Sequence, residues 1–166
     1  MISIISCISK NYAIGKGNDL VFKIPEDLGH FKRVTTLKPL VMGKNTALSL
    51  PLGKPLPNRV NYVLCDIESK MELESKGFIA ICGKNIEEAL IFIQKQHYKS
   101  EILVIGGGMV YKHALKFASK LYLTIVDEHI DNADVFFPDI DWDEWVIASK
   151  RAGIDKRLTF YEMLVK

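Results

Sequence analysis

Runs of apolar residues bounded by turn formers mark eight strands, at 2–9, 40–43, 60–65, 78–82, 102–106, 121–127, 145–149 and 158–165. Between them, 26–36, 45–50, 86–97 and 109–119 have helical spacing. In the third of these, Ile86, Ala89, Leu90 and Ile93 share one face behind Asn85, a residue suited to cap a helix. The strands at 102–106 and 121–127 are nearly all apolar and flank a helix, as in a parallel sheet covered on both faces. The last two strands follow one another with no helix between them. The pattern thus predicts a three-layer α/β fold over 1–166: a mainly parallel, mixed central sheet, about four flanking helices and a C-terminal antiparallel hairpin. The stretch 10–24, KNYAIGKGNDLVFKI, has no regular pattern and reads as one long loop, of a length that is usually functional or disordered.

Composition narrows the class further. A chain of 166 residues suits one domain and buries roughly 70% of its unfolded surface. With 48% hydrophobic and 25% charged residues it is neither disordered nor repetitive. Lys and Arg number 22 against 20 Asp and Glu, and the resulting +2 builds no basic stripe for nucleic acid. No segment reaches the ~18 apolar residues of a membrane span. MISIISCISK lacks a positive n-region and a small-residue cleavage site, and reads as a first strand. Cys7, Cys65 and Cys82 are odd in number and far apart, without CxxC or paired histidines. That argues against a metal site or a disulfide framework, and for a reducing cytoplasm.

Candidate chemistry sits where strands run into helices. ILVIGGGMVY carries a buried strand through Gly106, Gly107 and Gly108 into a helix. Glycines let a ligand approach the backbone, and free N–H groups at a helix start suit a phosphate. A dinucleotide fingerprint needs G-x-G-x-x-G, and Tyr111 takes the third glycine's place, so the match is partial. Asp127, ending the next strand, lies about where a ribose-binding acid would. The alternative is a tight turn with no ligand. LVMG followed by Lys44, Asn45 and Thr46 repeats the arrangement: Lys44 suits a phosphate, or is a solvated loop lysine.

Asp27 has two readings as well. Behind Pro25, it is an acid favoured by the dipole of a first helical turn. Yet Asp27, Phe31 and Val34 are spaced i, i+4, i+7, which puts the carboxyl on or beside the apolar face. Desolvation there would raise its pKa and fit it to hold a proton. Arg59 follows the Pro-rich turn GKPLPN and suits either a carboxylate clamp or a surface ion pair. His30, His97, His113 and His129 show no ligand spacing and are given no role.

Taken in order, MISIIS, the Ile14–Gly15 loop, Ile24-Pro25-Glu26-Asp27-Leu28 with Phe31 and Lys32, KPLVMGKNT, PLGKPLPNR, VIGGGMVY, LYLTIVD and VFFPD resemble dihydrofolate reductases of the bacterial chromosomal type. The resemblance spans nearly the whole chain. It implies hydride transfer from NADPH to C6 of 7,8-dihydrofolate with protonation at N5, in a monomeric cytoplasmic enzyme open to antifolate inhibitors. It implies that Asp27 is the ionisable group of the pterin pocket, with Thr124 hydrogen-bonding nearby. Ile5, Cys7, Leu28, Phe31, Ile105 and Tyr111 would line the pterin and nicotinamide pockets. Arg59 would clamp the substrate's glutamate, with Lys32 and Lys54 close by. Gly106–Gly107 would be a cis peptide. Residues 14–24 would form a mobile loop over the nicotinamide, with Leu20 at its tip and Ala13, Ile14, Gly15, Asn18 and Asp19 facing the cofactor. Gly43, Lys44, Asn45, Thr46, Leu64, Cys65, Asp66, Lys84, Gly108, Met109 and Val110 would also bind the cofactor, with Lys44, Asp66 and Lys84 near its adenosine 2′-phosphate.

The chain departs from the family pattern in places. Phe22 stands where Trp is usual, and cannot donate the hydrogen bond that helps hold a water near the pterin. Lys44 replaces an arginine at the 2′-phosphate, keeping charge but losing the fork. Asp66 replaces a small hydroxyl residue there and would repel the phosphate, while Lys84 would offset it. ALSLPLGKP is about two residues longer than the common form, which leaves the position of Leu50 open. Two rivals are a riboflavin-biosynthesis-type reductase module, which would lack the Asp27 and Arg59 pair, and a catalytically silent folate- or nucleotide-binding protein.

Overall fold

The computed structural model describes residues 1–166. The first half of the chain forms β1 (Ile2–Ser9), β2 (Ala13–Lys16), β3 (Asp19–Leu20), α1 (Pro25–Thr35), β4 (Leu40–Gly43), α2 (Lys44–Ser49), β5 (Asn61–Cys65), α3 (Lys70–Ser75) and β6 (Ile79–Cys82). The second half forms α4 (Ile86–Gln96), β7 (Ile102–Gly106), α5 (Gly108–Ala114), β8 (Lys120–Val126), β9 (Val135–Phe136), β10 (Trp145–Ala152) and β11 (Leu158–Val165). Eight strands make one sheet in the order β10-β11-β8-β1-β7-β4-β5-β6. The ladders from β8 through β6 are parallel, and β8–β11 and β11–β10 are antiparallel.

Strand alternation supplies both faces of the core. Ile2, Ile4 and Ile8 of β1 and Val41 of β4 join Leu90 and Ile93 of α4 and Val110 and Ala114 of α5 on one side. Ile5, Leu40, Met42 and Leu103 point the other way, where Phe31 and Val34 of α1 pack. Helices thus cover the parallel part of the sheet on both faces, as its apolar strands require.

Several boundaries differ from the sequence reading, each for a local reason. The stretch 10–24 is not one loop: β2 and β3 pair across Gly17 and Asn18, both near φ +60°, and β9 adds a third strand. Two left-handed residues make the turn that matches strand twist, and a Gly-Asn pair readily adopts it. Strands of four and two residues are too short to show a period. α3 escaped notice because only Leu73 of KMELES is buried. α5 stops at Ala114 instead of 119, and β10 runs on to Ala152, because its charged residues lie on an exposed edge. The longer segment before the Pro-rich turn is absorbed by a 3-10 turn at Pro51–Gly53, where Leu52 takes φ 59° and points outward. Leu50 therefore packs, partly buried, against the same core cluster as Phe31.

Candidate active site

Parallel strands end together, so β1, β4, β5, β7 and β8 deliver their last residues to one edge of the sheet, the usual ligand side of such folds. Pro25 opens α1 there, and Asp27 comes in its first turn. The carboxyl is half-buried. Thr124 of β8, buried to 1%, donates its hydroxyl to Asp27 Oδ1 at 2.6 Å. Cys7 pairs with Thr124 in register and lies against the same carboxylate. Burial, then the charge and hydrogen bond of Asp27, push the Cys7 thiol well above its ordinary range, so it stays protonated.

Apolar neighbours close round this acid. Ile5, Phe31 and Ile105 belong to the cluster under α1, and Phe22 and Cys7 pack against Ile24, Val126, Leu158 and Phe160. Tyr111 is buried and donates its hydroxyl to the Ile5 carbonyl at 2.8 Å; burial holds its phenol far above the usual range. Leu28 is half exposed at the rim. His30, given no role from the sequence, stands one helical turn from Asp27 and tilts against Phe160 at 4.7 Å. Burial lowers its pKa more than the Asp27 charge raises it, so near neutral pH it adds no charge to the pocket. Its i, i+3 spacing from Asp27 was the signal available for it.

A second constellation forms one strand away. The β4–α2 and β7–α5 junctions lie side by side because β4 pairs with β7, Met42 against Gly106. Gly106–Gly107 is a cis peptide. A Cβ on Gly106 would sit 3.2 Å from Thr46 Oγ1, on Gly107 3.4 Å from it, and on Gly43 3.4 Å from Val110. These glycines keep two backbone turns close and uncovered, a cradle open to an elongated ligand. Gly108 and Gly15 are pinned by β9, since a Cβ on either would meet Val135 at 2.9 or 3.1 Å. Ala13 and Ile14 of β2 are buried, while Asn18, Asp19, Leu20 and Met109 are exposed. Asp134 Oδ2 accepts the Gly17 N–H at 3.0 Å, and Asp19 pairs with Lys23 at 3.1 Å. Asn18 faces Asn45, Leu48 and Ser49 across a cleft of about 260 Å³, so the β2–β3 tip overhangs α2.

Beyond the cradle, Leu64 and Cys65 end β5, Asp66 follows it, and Lys84 lies just past β6. Lys44 lies 3.8 Å from Glu72, an acid the sequence reading did not include. Asp66 Oδ1 accepts from the Ser69 N–H at 2.9 Å and hydroxyl at 2.7 Å, bonds that hold its carboxyl below the ordinary range. Lys84 Nζ sits 5.4 Å from the centre of the Phe92 ring.

Arg59 is at the other end of α1. Its Nε donates to the Pro57 carbonyl at 2.8 Å and Nη1 to Thr35 Oγ1 at 3.0 Å, so the guanidinium is fixed with N–H groups to spare. Lys32 and Lys54 are exposed and make no ion pair. Asp127 is not brought into the site: it is exposed and pairs with Lys10 at 2.8 Å.

The sequence profile described as dihydrofolate reductase matches residues 1–165. The dihydrofolate reductase of Haemophilus influenzae is 39% identical over 145 residues, covering 87% of this chain and 83% of that protein. That of Bacillus subtilis is 33% identical over 167 residues, covering 99% and 93%. The type 3 dihydrofolate reductase of Salmonella typhimurium is 37% identical, covering 87% and 84%. Among solved structures, the dihydrofolate reductase of Enterococcus faecalis complexed with NADP(H) and RAB-propyl superposes with a TM-score of 0.84 at 28% identity, covering 100% of this chain and 96% of that one. No helix is long and apolar enough to cross a membrane. With its whole length matched in sequence and in fold, the chain belongs to the dihydrofolate reductase family.

Proposed function

We propose that residues 1–166 work as one dihydrofolate reductase domain, reducing 7,8-dihydrofolate to 5,6,7,8-tetrahydrofolate with NADPH, and that Asp27 promotes protonation at N5. The observation that carries this is the half-buried Asp27 carboxyl gripped by Thr124 at 2.6 Å, on the strand pair next to the glycine cradle. A carboxyl in that place binds the amino and N3 side of a pterin. Thr124 fixes the carboxyl's orientation, and the protonated Cys7 adds no charge beside it.

The chain's residues fit NADPH: the glycine cradle exposes backbone beside Gly43, Asn45 and Thr46, and Lys44 and Lys84 lie toward β5 and β6 for a 2′-phosphate. When bound, the cofactor supplies a hydride for C6 of the substrate. Ala13, Ile14, Gly15, Asn18 and Leu20 close over the ring that carries it and exclude water. Ile5, Leu28, Phe31 and Ile105 hold the pterin flat against that ring. Eight residues of α1 separate Asp27 from Thr35, the partner of Arg59, a rise of about 12 Å. That separation suits an extended folate with its glutamate carboxylate on Arg59, flanked by Lys32 and Lys54, and disfavours a ribosyl-pyrimidine substrate. Phe22 puts no donor near the pterin, so water reaches N5 without that anchor. The same reading puts the protein in the cytoplasm as a monomer, which size-exclusion chromatography checks.

The test is the near-UV loss of NADPH absorbance on adding dihydrofolate, with and without methotrexate, repeated with NADH. Methotrexate-sensitive oxidation is expected. Absence of turnover despite tight methotrexate binding would overturn the reading in favour of a silent folate binder.

A further inference from the structure

We infer that Cys65 and Cys82 form a reversible dithiol–disulfide pair at the mouth of the cofactor cleft, closed by exchange with low-molecular-weight disulfides and shielded when the cofactor's adenosine end is occupied. The shielding rests on the proposed placement of NADPH; the pair itself does not.

The two sulfurs lie 2.9 Å apart. Cys65 ends β5 and Cys82 ends β6, and the two residues are direct partners in the parallel ladder. Ladder partners point to the same face, and neighbouring strands run about 4.8 Å apart, inside the Cα separation a disulfide accepts. The sulfurs need to approach to about 2.05 Å, a movement that side-chain rotation supplies. Both residues are half-exposed, so a small reagent reaches them. Cys7 is no competitor, because it faces Asp27 three strands away from β5.

The chemistry balances as two exchanges. Burial, then the hydrogen bond to the Cys82 sulfur, push the Cys65 thiol up to about 12, so the first attack falls to Cys82. Cys82 gives its proton to solvent and attacks one sulfur of the small disulfide, forming a mixed disulfide and expelling one thiolate. Cys65 then gives its proton to solvent and attacks the Cys82 sulfur, expelling the second thiolate. The protein loses two protons and two electrons, and the small disulfide becomes two thiols. A reducing thiol runs the sequence backwards. Asp66 follows Cys65 directly and Lys84 stands two residues after Cys82, so the bond ties together the two segments that border the 2′-phosphate in our reading.

The experiment exposes ligand-free protein to oxidised glutathione, alkylates it under denaturing conditions and reads mass and linked peptides. The expected result is loss of two of the three free thiols, a Cys65–Cys82 linked peptide and full reversal by dithiothreitol. In Cys82→Ser the internal link does not form, and any glutathione stays as an adduct. Saturating NADP⁺ slows closure several-fold. Three free thiols after exposure, a link through Cys7 or a covalent dimer would overturn the pair. Closure at an unchanged rate with bound NADP⁺, its binding verified by fluorescence quenching, would overturn the shielding. Failure of NADP⁺ to bind at all would instead count against the proposed function.

Discussion

Asp27→Asn keeps the shape that Thr124 grips and removes the carboxyl group. Turnover at neutral pH is expected to fall by about 100-fold or more, while NADPH affinity stays within about twofold, because the acid serves the substrate side. Steady-state kinetics and a fluorescence titration read the two effects; equal activity across pH would remove the role. Asp66→Ser tests the other end. Serine can still cap the Ile67–Ser69 turn that Asp66 caps now, so the fold is kept while a repulsive charge is lost. NADPH binding should tighten more than NADH binding, and an equal change would mean that Asp66 does not face the 2′-phosphate. The residue types at both positions were legible in the sequence, as were Thr124 and Arg59. The acid beside Lys44 was not: Glu72 comes near it only when α2 and α3 are brought together, whereas the spacing of His30 from Asp27 was there to read.

Elements hold the site through contacts that local patterns do not announce. From the sequence Glu26 is an acid of a first helical turn, yet its carboxylate accepts the Ile154 N–H at 2.9 Å and the Asp155 N–H at 2.8 Å, tying α1 to the β10–β11 turn. That turn needs Gly153, where a Cβ would meet Leu158 at 2.9 Å and Glu26 Oε1 at 3.1 Å. The N–H of Asp155, then that of Ile154, hold Glu26 below its ordinary value, Arg151 helping and Asp155 opposing. A depressed carboxylate stabilises the fold above its unfolded pKa, and that contribution is lost as pH falls through the folded value. Glu26→Gln should therefore lower Tm at neutral pH, and the difference should shrink below roughly pH 4. Thermal melts across pH check this, and a gap that persists in acid would rule out the charge. Glu101, at the opposite edge of the sheet, obeys the same sign. Burial works to raise it, but Lys38 at 2.7 Å, Ser3 at 2.7 Å and Tyr122 at 2.9 Å outweigh burial. Its replacement by Ala should cost about 2 kcal/mol at pH 7, of the order expected for hydrogen bonds to a charged group, as urea unfolding would measure.

At the scale of the molecule, the chain closes on itself. β11, the last strand, lies between β10 and β8, and buries Leu158, Phe160 and Met163. A chain ending at residue 157 would lose the partner of β8 and the cover of the cluster beside Phe22, and should fail to fold, visible as loss of cooperative melting by circular dichroism. A cooperative transition in that fragment would mean the parallel half is self-sufficient. The order and type of the main elements were determined by sequence alone, since apolar period depends only on neighbours along the chain and a buried strand or helix face must be apolar whatever it meets. Gly106–Gly108, Asp27 and Arg59 could likewise be singled out in the sequence, though their spacing left two readings open at each and only the family resemblance chose between them. Tertiary structure decided the rest. The pairing of β4 with β7 places two glycine turns side by side, that of β1 with β8 sets Cys7 beside Thr124, and that of β5 with β6 brings two cysteines 17 residues apart to 2.9 Å. Contacts between residues distant in sequence depend on which strands become neighbours, and no local period encodes that choice.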